Sequence, residues 1–458
     1  MIDPEAAWKV ISFSQGKGAE FSEIFCENMH YTTFRISDSK IRIFIVGKEH
    51  GVGIRIIADG GVSHSFTQDS SYKSLKKPAE ECCRMMRSRH TQCYPTPLRP
   101  RRKGPAVIPK DATDSPSEAK FRILTGIDHG ARDFSPFIQQ VIGRYTDLVQ
   151  KIMIFNSEGL RVEDIRSSTS IKLTLVASRG KQKEVVTSGF GWQGDLSIFT
   201  EKRLQEIGRQ LALDAVERLD ARPAPHGRLP VIIAGGQQGG IFIHEVIGHM
   251  LETDLVTSGS SLYGNKLNTQ VASPLVTIID DATIPNRKGS FNFDDEGTVA
   301  QRTSLINEGV LENYLTDRLT AKELNLPMTG NARRESYQYP PISRMTCTYL
   351  EAGDTRPQSF ISEVKKGLYV TQLGGGRVDP ITGFFSLNIF SAYLIENGHV
   401  TDPVKGCVLT GCITEALRGI RGVGSDFAFD QGIDEGVRKR TRSYPCLLAR
   451  LLSLSKVC

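Results

Sequence analysis

Two histidines and a glutamate in the segment GGIFIHEVIGHMLETDLV, residues 239–256, are the side chains of this chain best suited to metal-assisted hydrolysis. The imidazoles of His244 and His249 are candidate zinc ligands, and Glu245 is a candidate general base. Zinc-protease helices place two such histidines four residues apart, so that both imidazoles project from one face. Here the spacing is five, and on a regular α-helix this turns the second imidazole about 140° away from the first.

A local distortion of the helix would bring the two imidazoles together. A π-type turn returns residues five apart to one face, and Gly248, directly before the second histidine, reduces the strain of such a turn. The apolar stripe that this helix would bury consists of Phe242, Ile243, Val246, Ile247, Met250 and Leu251. Downstream, the carboxylates of Glu252 and Asp254 either orient the imidazoles or belong to a solvated face, and the sequence leaves both readings open.

The elements that must position this segment are those of an α+β protein. Strand-like and helical stretches are segregated along the chain and do not alternate, which disfavours a doubly wound sheet. The predicted order is a helix at residues 5–13, a meander of strands over 19–68, a helix from Ala79, helical starts in SPSEAKFRILTGIDHGAR and SPFIQQVIGRYTD, a hairpin set over 151–192, a long helix over 199–221 and a short strand at 229–234.

These elements predict an N-terminal region of antiparallel sheet and helices, followed by a glycine-rich, strand-rich C-terminal domain that carries the metal helix. The predicted boundaries are 1–90 for an N-terminal unit, 91–114 for a proline-rich basic linker, 115–223 for a middle unit, 224–436 for the C-terminal domain that contains the histidine segment and 437–458 for an atypical basic tail. The basic stretch at 84–103 indicates a solvated linker more than a phosphate-binding arm, because no nucleic-acid-binding motif accompanies it.

Charge and composition narrow the functional classes. The net charge of +6 is concentrated in the tail, where lysines and arginines occur without an acidic residue. No apolar run approaches the ~20 residues that span a bilayer, and the first residues lack the apolar block of a signal peptide. Nine cysteines without an export signal predict reduced thiols. We therefore expect a cytoplasmic protein whose partner is neither a membrane nor a nucleic acid.

The histidine segment resembles the signature of the TldD/PmbA family of intracellular zinc metallopeptidases, and the resemblance extends over roughly residues 15–433. Blocks similar to those of the family occur in the family's order: GAEFSEIF, GVGIRIIADGG, HEVIGHMLETDL, GSFNFDDEGT, LINEGVLENYLTDRLTA, TGNARRESY and GGGRVDPITGFFSLNIF. The family contains one type of subunit with the histidine helix and a sister type without it, and this chain resembles the first.

The resemblance implies that His244 and His249 are zinc ligands and that Glu245 activates the attacking water. It also implies an enclosed site that accepts extended, unstructured peptides, in a heterodimer with a PmbA/TldE-like sister subunit. The alternative is a catalytically silent interaction subunit, in which two histidines without a third ligand hold zinc only loosely.

In the family the third ligand is a cysteine near the C-terminus, in a block similar to Cys-Gly-Lys-x-Gly-Gln. No cysteine follows FAFDQGI at that place, and Cys446 is the weak candidate that the tail offers. A shifted reading frame in the source gene is another explanation, because codons for residues 437–441 can be read one base later as Cys-Gly-Lys-Gly-Gln. Cys407 and Cys412 are predicted to be buried small residues, with substitute ligation as the lesser alternative.

Two further motifs have competing interpretations. Asp294, Asp295 and Glu296 in FNFDDEG predict a turn or a helix cap more than a second metal site. The glycines of QLGGGRVD, residues 372–379, predict the close approach of a strand edge or a peptide backbone. A phosphate-binding loop is disfavoured there, because no helix with a lysine and a serine or threonine follows.

Overall fold

Long antiparallel strands form one sheet in the N-terminal half of the chain, in a computed structural model that describes residues 2–86, 95–99, 102–103, 112–427 and 447–456. The strands are β1 (Phe21–Ser37), β2 (Lys40–Ala58), β3 (Gly61–Thr67), β4 (Arg102–Lys103), β5 (Ile138–Asn156), β6 (Arg161–Arg179) and β7 (Gln182–Trp192). They lie in the order β3-β2-β1-β5-β6-β4, and β7 also pairs with β6. The pairings are antiparallel except the short one between β4 and β6.

Four helices pack on this sheet through their apolar faces. They are α1 (Pro4–Gly16), α2 (Tyr72–Met85), α3 (Ser117–Phe134) and α4 (Glu201–Asp220). α1 and α2 bury Val10 and Leu75 against β1 and β2, while α3 and α4 bury Leu124 and Leu211 in a second cluster. Each helix presents one apolar face, so the sheet and its helices close two neighbouring cores.

One helix prediction in this half was wrong, and another helix begins earlier than predicted. The stretch SPFIQQVIGRYTD enters β5 at Ile138 instead of a helix, because it pairs with β1 on one edge and with β6 on the other. Tertiary pairing of both strand edges outweighs the local helix-capping signal. α2 begins at Tyr72 and not at Ala79; Ser71 caps it, and Pro78 lies inside it.

The predicted N-terminal and middle units contribute strands to the same sheet. Residues 23–37 of β1 pair with residues 142–156 of β5, so the two units are joined along nearly the whole length of both strands. The predicted linker at 91–114 lies mostly outside the described residues. The predicted boundaries themselves stay a prediction.

The C-terminal half is built around a ring of strands. Its strands are β8 (Arg222–Pro223), β9 (Gly227–Ile233), β10 (Ile278–Asp281), β11 (Arg302–Asn307), β12 (Val310–Leu311), β13 (Ala332–Arg333), β14 (Ile342–Ser343), β15 (Thr348–Leu350), β16 (Lys366–Val378), β17 (Phe384–Glu396), β18 (His399–Lys405), β19 (Cys407–Cys412), β20 (Ile420–Val423) and β21 (Leu447–Lys456). The ring closes in the order β16-β9-β21-β19-β17, because β17 pairs back with β16. A second sheet has the order β12-β11-β10-β15.

Short helices connect the ring to the second sheet. They are α5 (Gln237–Val246), α6 (Thr253–Thr257), α7 (Arg318–Leu324), α8 (Pro357–Glu363) and α9 (Ile413–Arg418). One buried cluster includes Ile233 and Phe385 of the ring, Phe242 of α5 and Leu305 of the second sheet, so these elements share a core. The fold is α+β, as predicted. Within the described residues, no helix has the length and apolarity needed to cross a membrane.

Candidate metal centre

The histidine segment begins where β9 leaves the ring of strands. β9 ends at Ile233, and the backbone turns through Gly236, whose φ of 72° is a conformation that residues with a Cβ rarely adopt. α5 follows and carries His244 and Glu245. The short strand and the glycine turn lie where the sequence predicts them.

The two histidines lie on consecutive short helices and not on one widened helix. α5 ends at Val246, Ile247 leaves the helical region with a φ of −133°, and a 3₁₀ turn at Gly248–Leu251 carries the second histidine. The predicted π-type turn is therefore wrong, because the backbone interrupts the α-helix instead of widening it. The interruption still brings the imidazoles together: the ring centroids of His244 and His249 are 4.5 Å apart, with 74° between the ring planes.

Burial of the apolar stripe fixes this arrangement. The stripe residues are at most 1% exposed, as predicted: Phe242, Ile243, Val246, Ile247, Met250 and Leu251. Gly248 is needed for a reason that differs from the predicted one. A Cβ at this position would lie 2.2 Å from the sulfur of Met345, so the glycine makes room for the methionine side chain. One face of the histidine segment is therefore held in place by its packing against the core.

Glu252 orients the imidazole of His249. Its carboxylate is only 1% exposed, and Oε2 lies 3.2 Å from Nδ1 of His249 and 2.9 Å from Nη1 of Arg344. Nδ1–H donates to this carboxylate, which leaves Nε2 as the nitrogen that can bind a metal. The hydrogen bond to Glu252 raises the pKa of His249, because the carboxylate stabilises the protonated ring. Of the two readings left open for Glu252, the orienting one is correct.

His244 is exposed, whereas His249 is half-buried. The protein around His244 nevertheless removes part of its hydration, which lowers its pKa, and the neighbouring imidazole of His249 lowers it further. A neutral imidazole is the form that binds a metal, so this shift favours ligation near neutral pH.

Glu245 faces the glycine-rich part of β16. A Cβ built on Gly375 would lie 4.0 Å from Oε1 of Glu245, which places the carboxylate beside the strand backbone. Gly374 and Gly375 form a β-bulge, since both lie opposite the single residue Asn388 of β17. The Nδ2 atom of Asn388 donates a 2.8 Å hydrogen bond to the carbonyl of Gly375. The glycine motif therefore belongs to a strand, as predicted, and not to a phosphate-binding loop.

The described residues contain two of the three zinc ligands that the resemblance implies. In the described part of the chain, no group of three or more His, Cys, Asp or Glu side chains is arranged to hold a metal ion. Cys446, the candidate third ligand, lies outside the described residues. Burial raises the pKa of Cys407 to about 11, which disfavours the thiolate that zinc requires. Two adjacent imidazoles, one with its Nδ1 already bonded, are ligands of the type that zinc prefers. A catalytic zinc site has three protein ligands, so the described residues provide one ligand too few.

The acidic motif at 294–296 lies in a buried network between the two halves of the molecule. Asp294 accepts backbone hydrogen bonds from Glu296, Thr298 and Ala332, and the backbone nitrogen of Arg318, at the start of α7, donates to Glu296. The predicted turn is therefore confirmed, whereas the N-cap of α7 is Asp317 and not a residue of the motif. The network, called the ionic cluster below, consists of Glu23, Arg55, Arg166, Asp295, Glu296 and Arg334. Each acid of the ionic cluster is paired with an arginine.

Arg344, which lies at the site, and Phe390, which packs on the bulge of β16, were not identified from the sequence. Arg344 contacts Glu252, and the ring of Phe390 packs on Gly374 of the bulge. Neither has a fixed spacing from the histidines, since both come from elements distant in sequence. The only sequence signal for such contacts was the glycine run of QLGGGRVD, because glycines within a strand often mark the close approach of another group.

Three family models match the chain in succession: PmbA/TldA metallopeptidase domain 1 over residues 22–85, the central domain over 110–220 and the C-terminal domain over 226–450. The chain is similar to the metalloprotease TldD homologue of Haemophilus influenzae, with 30% identity over 441 residues, or 94% of this chain and 91% of that protein. A metalloprotease of Methanothermobacter thermautotrophicus is 32% identical over 90% of each chain. A zinc metalloprotease TldD homologue of Saccharolobus solfataricus is 25% identical over 93% of this chain and 94% of that one.

Solved structures share the fold. A Thermotoga maritima protein described as a modulator of a DNA gyrase superposes with a TM-score of 0.81 at 20% identity, covering 98% of this chain and 99% of that one. TldE from Thermococcus kodakarensis superposes with a TM-score of 0.77 at 18% identity, covering 98% of this chain and all of that one (100%). At these identities the likeness concerns the fold.

Proposed function

The chain belongs to the PmbA/TldD family of metallopeptidases, and from this premise we propose that it is a zinc-dependent peptidase that cleaves extended, unstructured peptides. The observation that carries the proposal is the pair of imidazoles with ring centroids 4.5 Å apart, beside a glutamate that faces an exposed strand backbone. A relative from Saccharolobus solfataricus is named a zinc metalloprotease, which supports the choice of metal.

In this proposal His244 and His249 hold the zinc, and Glu252 fixes the ring of His249. Zn²⁺ bound there would supply a Lewis acid that makes a water molecule acidic near neutral pH and polarises the scissile carbonyl. Glu245 accepts the proton of the attacking water and returns it to the departing amine. Glu252 stays hydrogen-bonded to Nδ1 of His249, since its role is to hold the imidazole so that Nε2 would be available to the metal.

The substrate class is inferred from the exposed backbone of β16. β9 pairs with one edge of β16 at Leu368–Val370, and the glycines of QLGGGRVD follow on the same strand. The exposed backbone there includes Gly375 and Gly376, next to Glu245. An extended peptide that pairs with this edge would gain main-chain hydrogen bonds and pass the carboxylate. A folded protein rarely presents such an unpaired strand, so unstructured peptides are the favoured substrates.

The proposal includes a partner. The family resemblance implies a sister subunit, and a TldE shares this fold along 98% of this chain. We propose that a TldE-like subunit binds the chain as a heterodimer and encloses the site. Co-expression with the sister subunit of the same genome, followed by analytical ultracentrifugation, is expected to give a heterodimer that cleaves an unfolded protein and spares its folded form. Equal cleavage of both forms would contradict an enclosed site.

Glu245→Gln tests the catalytic assignment. We expect zinc content after dialysis to stay near that of the unaltered protein, while cleavage of an unfolded peptide falls by about 10²–10⁴-fold. Glu363→Gln, an exposed glutamate on α8, is the matched control and is expected to change neither property. Retained cleavage in Glu245→Gln would remove the general-base role. Unaltered protein that keeps no zinc after dialysis would favour the catalytically silent subunit.

A further inference from the structure

A small cavity lies beside α9, and none of the described residues that line it belongs to the candidate metal centre. Its volume is about 300 Å³, at the small end of the range for ligand pockets. Leu262, Tyr263 and Val271 supply apolar surface to its lining, and Lys266 and Arg418 supply two positive charges. The space lined by these side chains is called the basic cavity below.

The two positive charges of the basic cavity are not compensated by an acid. No aspartate or glutamate is among the described residues that line it. Within the described part of the chain, neither Lys266 nor Arg418 forms an ion pair, although both are exposed. Nη2 of Arg418 donates a 3.0 Å hydrogen bond to the backbone carbonyl of Gln270, which orients the guanidinium without neutralising it. The cavity therefore has a net positive charge.

The hydroxyl of Tyr263 is a buried polar group that lacks a partner at this cavity. Tyr263 is only 3% exposed, and its hydroxyl has no hydrogen-bond partner among the described residues, although such groups are normally paired. Burial raises the pKa of this phenol and the nearby thiol of Cys412 raises it further, while the positive charge of Arg418 opposes both. The hydroxyl is thus close enough to the guanidinium for one anion to interact with both groups.

We propose that the basic cavity binds a small molecule that has an anionic head group on an apolar body. Arg418 and Lys266 attract the head group, and the hydroxyl of Tyr263 donates a hydrogen bond to it. The apolar body packs against Leu262 and Val271. A cavity of about 150 Å³ can hold benzene, so the basic cavity has room for one ring with a carboxylate or a phosphate group. The inference does not depend on the proposed peptidase function, because it uses no residue of the metal centre.

Three small probes of one shape test the site: benzoate, phenyl phosphate and the neutral benzamide. Each is titrated into the full-length, zinc-loaded protein at pH 7.5 by isothermal titration calorimetry. We expect at least one anion to bind about tenfold or more tightly than benzamide, because hydrogen bonds to charged groups are the stronger ones. The anion that binds more tightly identifies the head group as a carboxylate or a phosphate.

Two variants connect this binding to the cavity. Arg418→Gln should weaken binding of the preferred anion about tenfold, and Tyr263→Phe should weaken it about threefold. An anion bound to zinc at the metal centre would not respond to either change. The midpoint of urea denaturation of Tyr263→Phe should not fall in the absence of a probe, because the hydroxyl that is removed has no partner in the protein.

Arg421→Gln is the matched control, because Arg421 is an exposed arginine on β20 that does not line the cavity. It makes the same change of charge and should leave the affinity for both anions unchanged. Absence of binding by both anions, or equal affinity for benzamide and the preferred anion, would overturn the site. Equal weakening by Arg418→Gln and Arg421→Gln would also overturn it, since the attraction would then come from the net charge of the protein.

Discussion

In the ionic cluster, acids and arginines meet in a space closed to solvent, whereas around His249 two acids, an arginine and a second imidazole meet at an open surface. The side chains of Glu23, Arg55 and Glu296 are at most 2% exposed, and each faces a charge of opposite sign. At the histidine segment, Glu252 is buried to the same degree, but the imidazoles reach solvent. The two regions use similar residue types and differ in how many of them already have partners.

This difference distinguishes the ionic cluster, whose charged side chains stabilise the fold, from the histidine segment, whose side chains can take part in a reaction. Burial on its own would raise the pKa of Asp295, but Arg166 and Arg333 outweigh it and keep the pKa of this carboxyl below its ordinary value. Its charge is therefore already compensated inside the protein, and a metal ion would have to displace an arginine to bind there. At the histidine segment, Glu252 is the acid whose charge is compensated in this way. The imidazole nitrogens that could bind a metal remain available.

Removing one arginine from the ionic cluster is expected to have the largest effect. Arg55→Met takes the guanidinium from between Glu23 and Glu296 and leaves two buried carboxylates without it. The free energy of unfolding should fall by about 3–5 kcal/mol, measured by urea denaturation. Zinc affinity of the folded variant should not change, since the cluster binds no metal in our proposal.

The matched control for this prediction is an exposed ion pair. Arg302 faces Glu351 with side chains that are 48% and 42% exposed, so Arg302→Met should change the free energy of unfolding by less than about 1 kcal/mol. Equal destabilisation by the two variants would show that burial does not distinguish the ionic cluster from surface pairs.

Glu252→Gln tests the one buried acid of the open region. The amide no longer matches both the Nδ1–H of His249 and the guanidinium of Arg344, so the imidazole should lose its fixed orientation. We expect zinc affinity to fall by about 10–100-fold in a chelator competition at pH 7.5. Asp254→Asn is the control, because this carboxylate contacts Ser343 at 3.5 Å and should leave zinc affinity unchanged. Unaltered affinity in Glu252→Gln would remove its orienting role.

The sequence predicted the fold class and most elements, because hydrophobic periodicity and turn residues act locally. It failed at Ile138, where a serine cap and a mixed pattern indicated a helix and pairing on both edges produced a strand. The adjacency of the histidines was anticipated through a π-type turn, but a break at Ile247 achieves it. A spacing of five residues requires some interruption of the α-helix if the two imidazoles are to lie together. The type of interruption depends on tertiary packing, which the sequence does not display.

The parts of the site that the sequence missed come from other strands. The contact of Glu252 with Arg344 spans 92 residues, and the contact of Gly374 with Phe390 depends on a bulge in the pairing of β16 with β17. Pairing register is a tertiary property, so no local pattern could have placed that ring beside the glycine. For the same reason, the motif at 294–296 could be read as a turn but not as the centre of an ionic cluster.

Gly248→Ala tests the packing of the histidine segment, where the contact of Gly248 with Met345 is coupled to the positions of the two imidazoles. The new methyl group would meet the sulfur of Met345 at 2.2 Å, and this flexible side chain can move at an expected loss of about 1–2 kcal/mol in the free energy of unfolding. Met345→Ala should remove most of that loss in the double variant, as measured in a double-mutant cycle. Additive losses would show that the backbone, and not the methionine, requires glycine.

His64 and His249 provide the smallest and most direct contrast, because the two regions shift the pKa of an imidazole in opposite directions. Burial lowers the pKa of His64 to about 4, and the positive charge of Arg334 in the ionic cluster adds to the effect. The Nε2–H of His64 donates to the carbonyl of Tyr337 at 3.2 Å, while Nδ1 is buried without a hydrogen-bond partner among the described residues. A proton on Nδ1 would therefore be both desolvated and unpaired.

Because the pKa of His64 in the folded protein lies below the value of about 6.5 in the unfolded chain, the unfolded chain takes up the proton first as the pH falls. The unaltered protein should lose stability relative to His64→Gln from about pH 6.5 downward, by about 1 kcal/mol at pH 5.5, and by nothing further below pH 4. Glutamine keeps an N–H donor for the Tyr337 carbonyl, and His399→Gln, at an exposed position of β18, is the control. Urea denaturation from pH 7.5 to 4.5 measures the difference. If it has the same size at every pH, His64 acts through packing, and the opposite shifts of the two imidazoles have no consequence for stability.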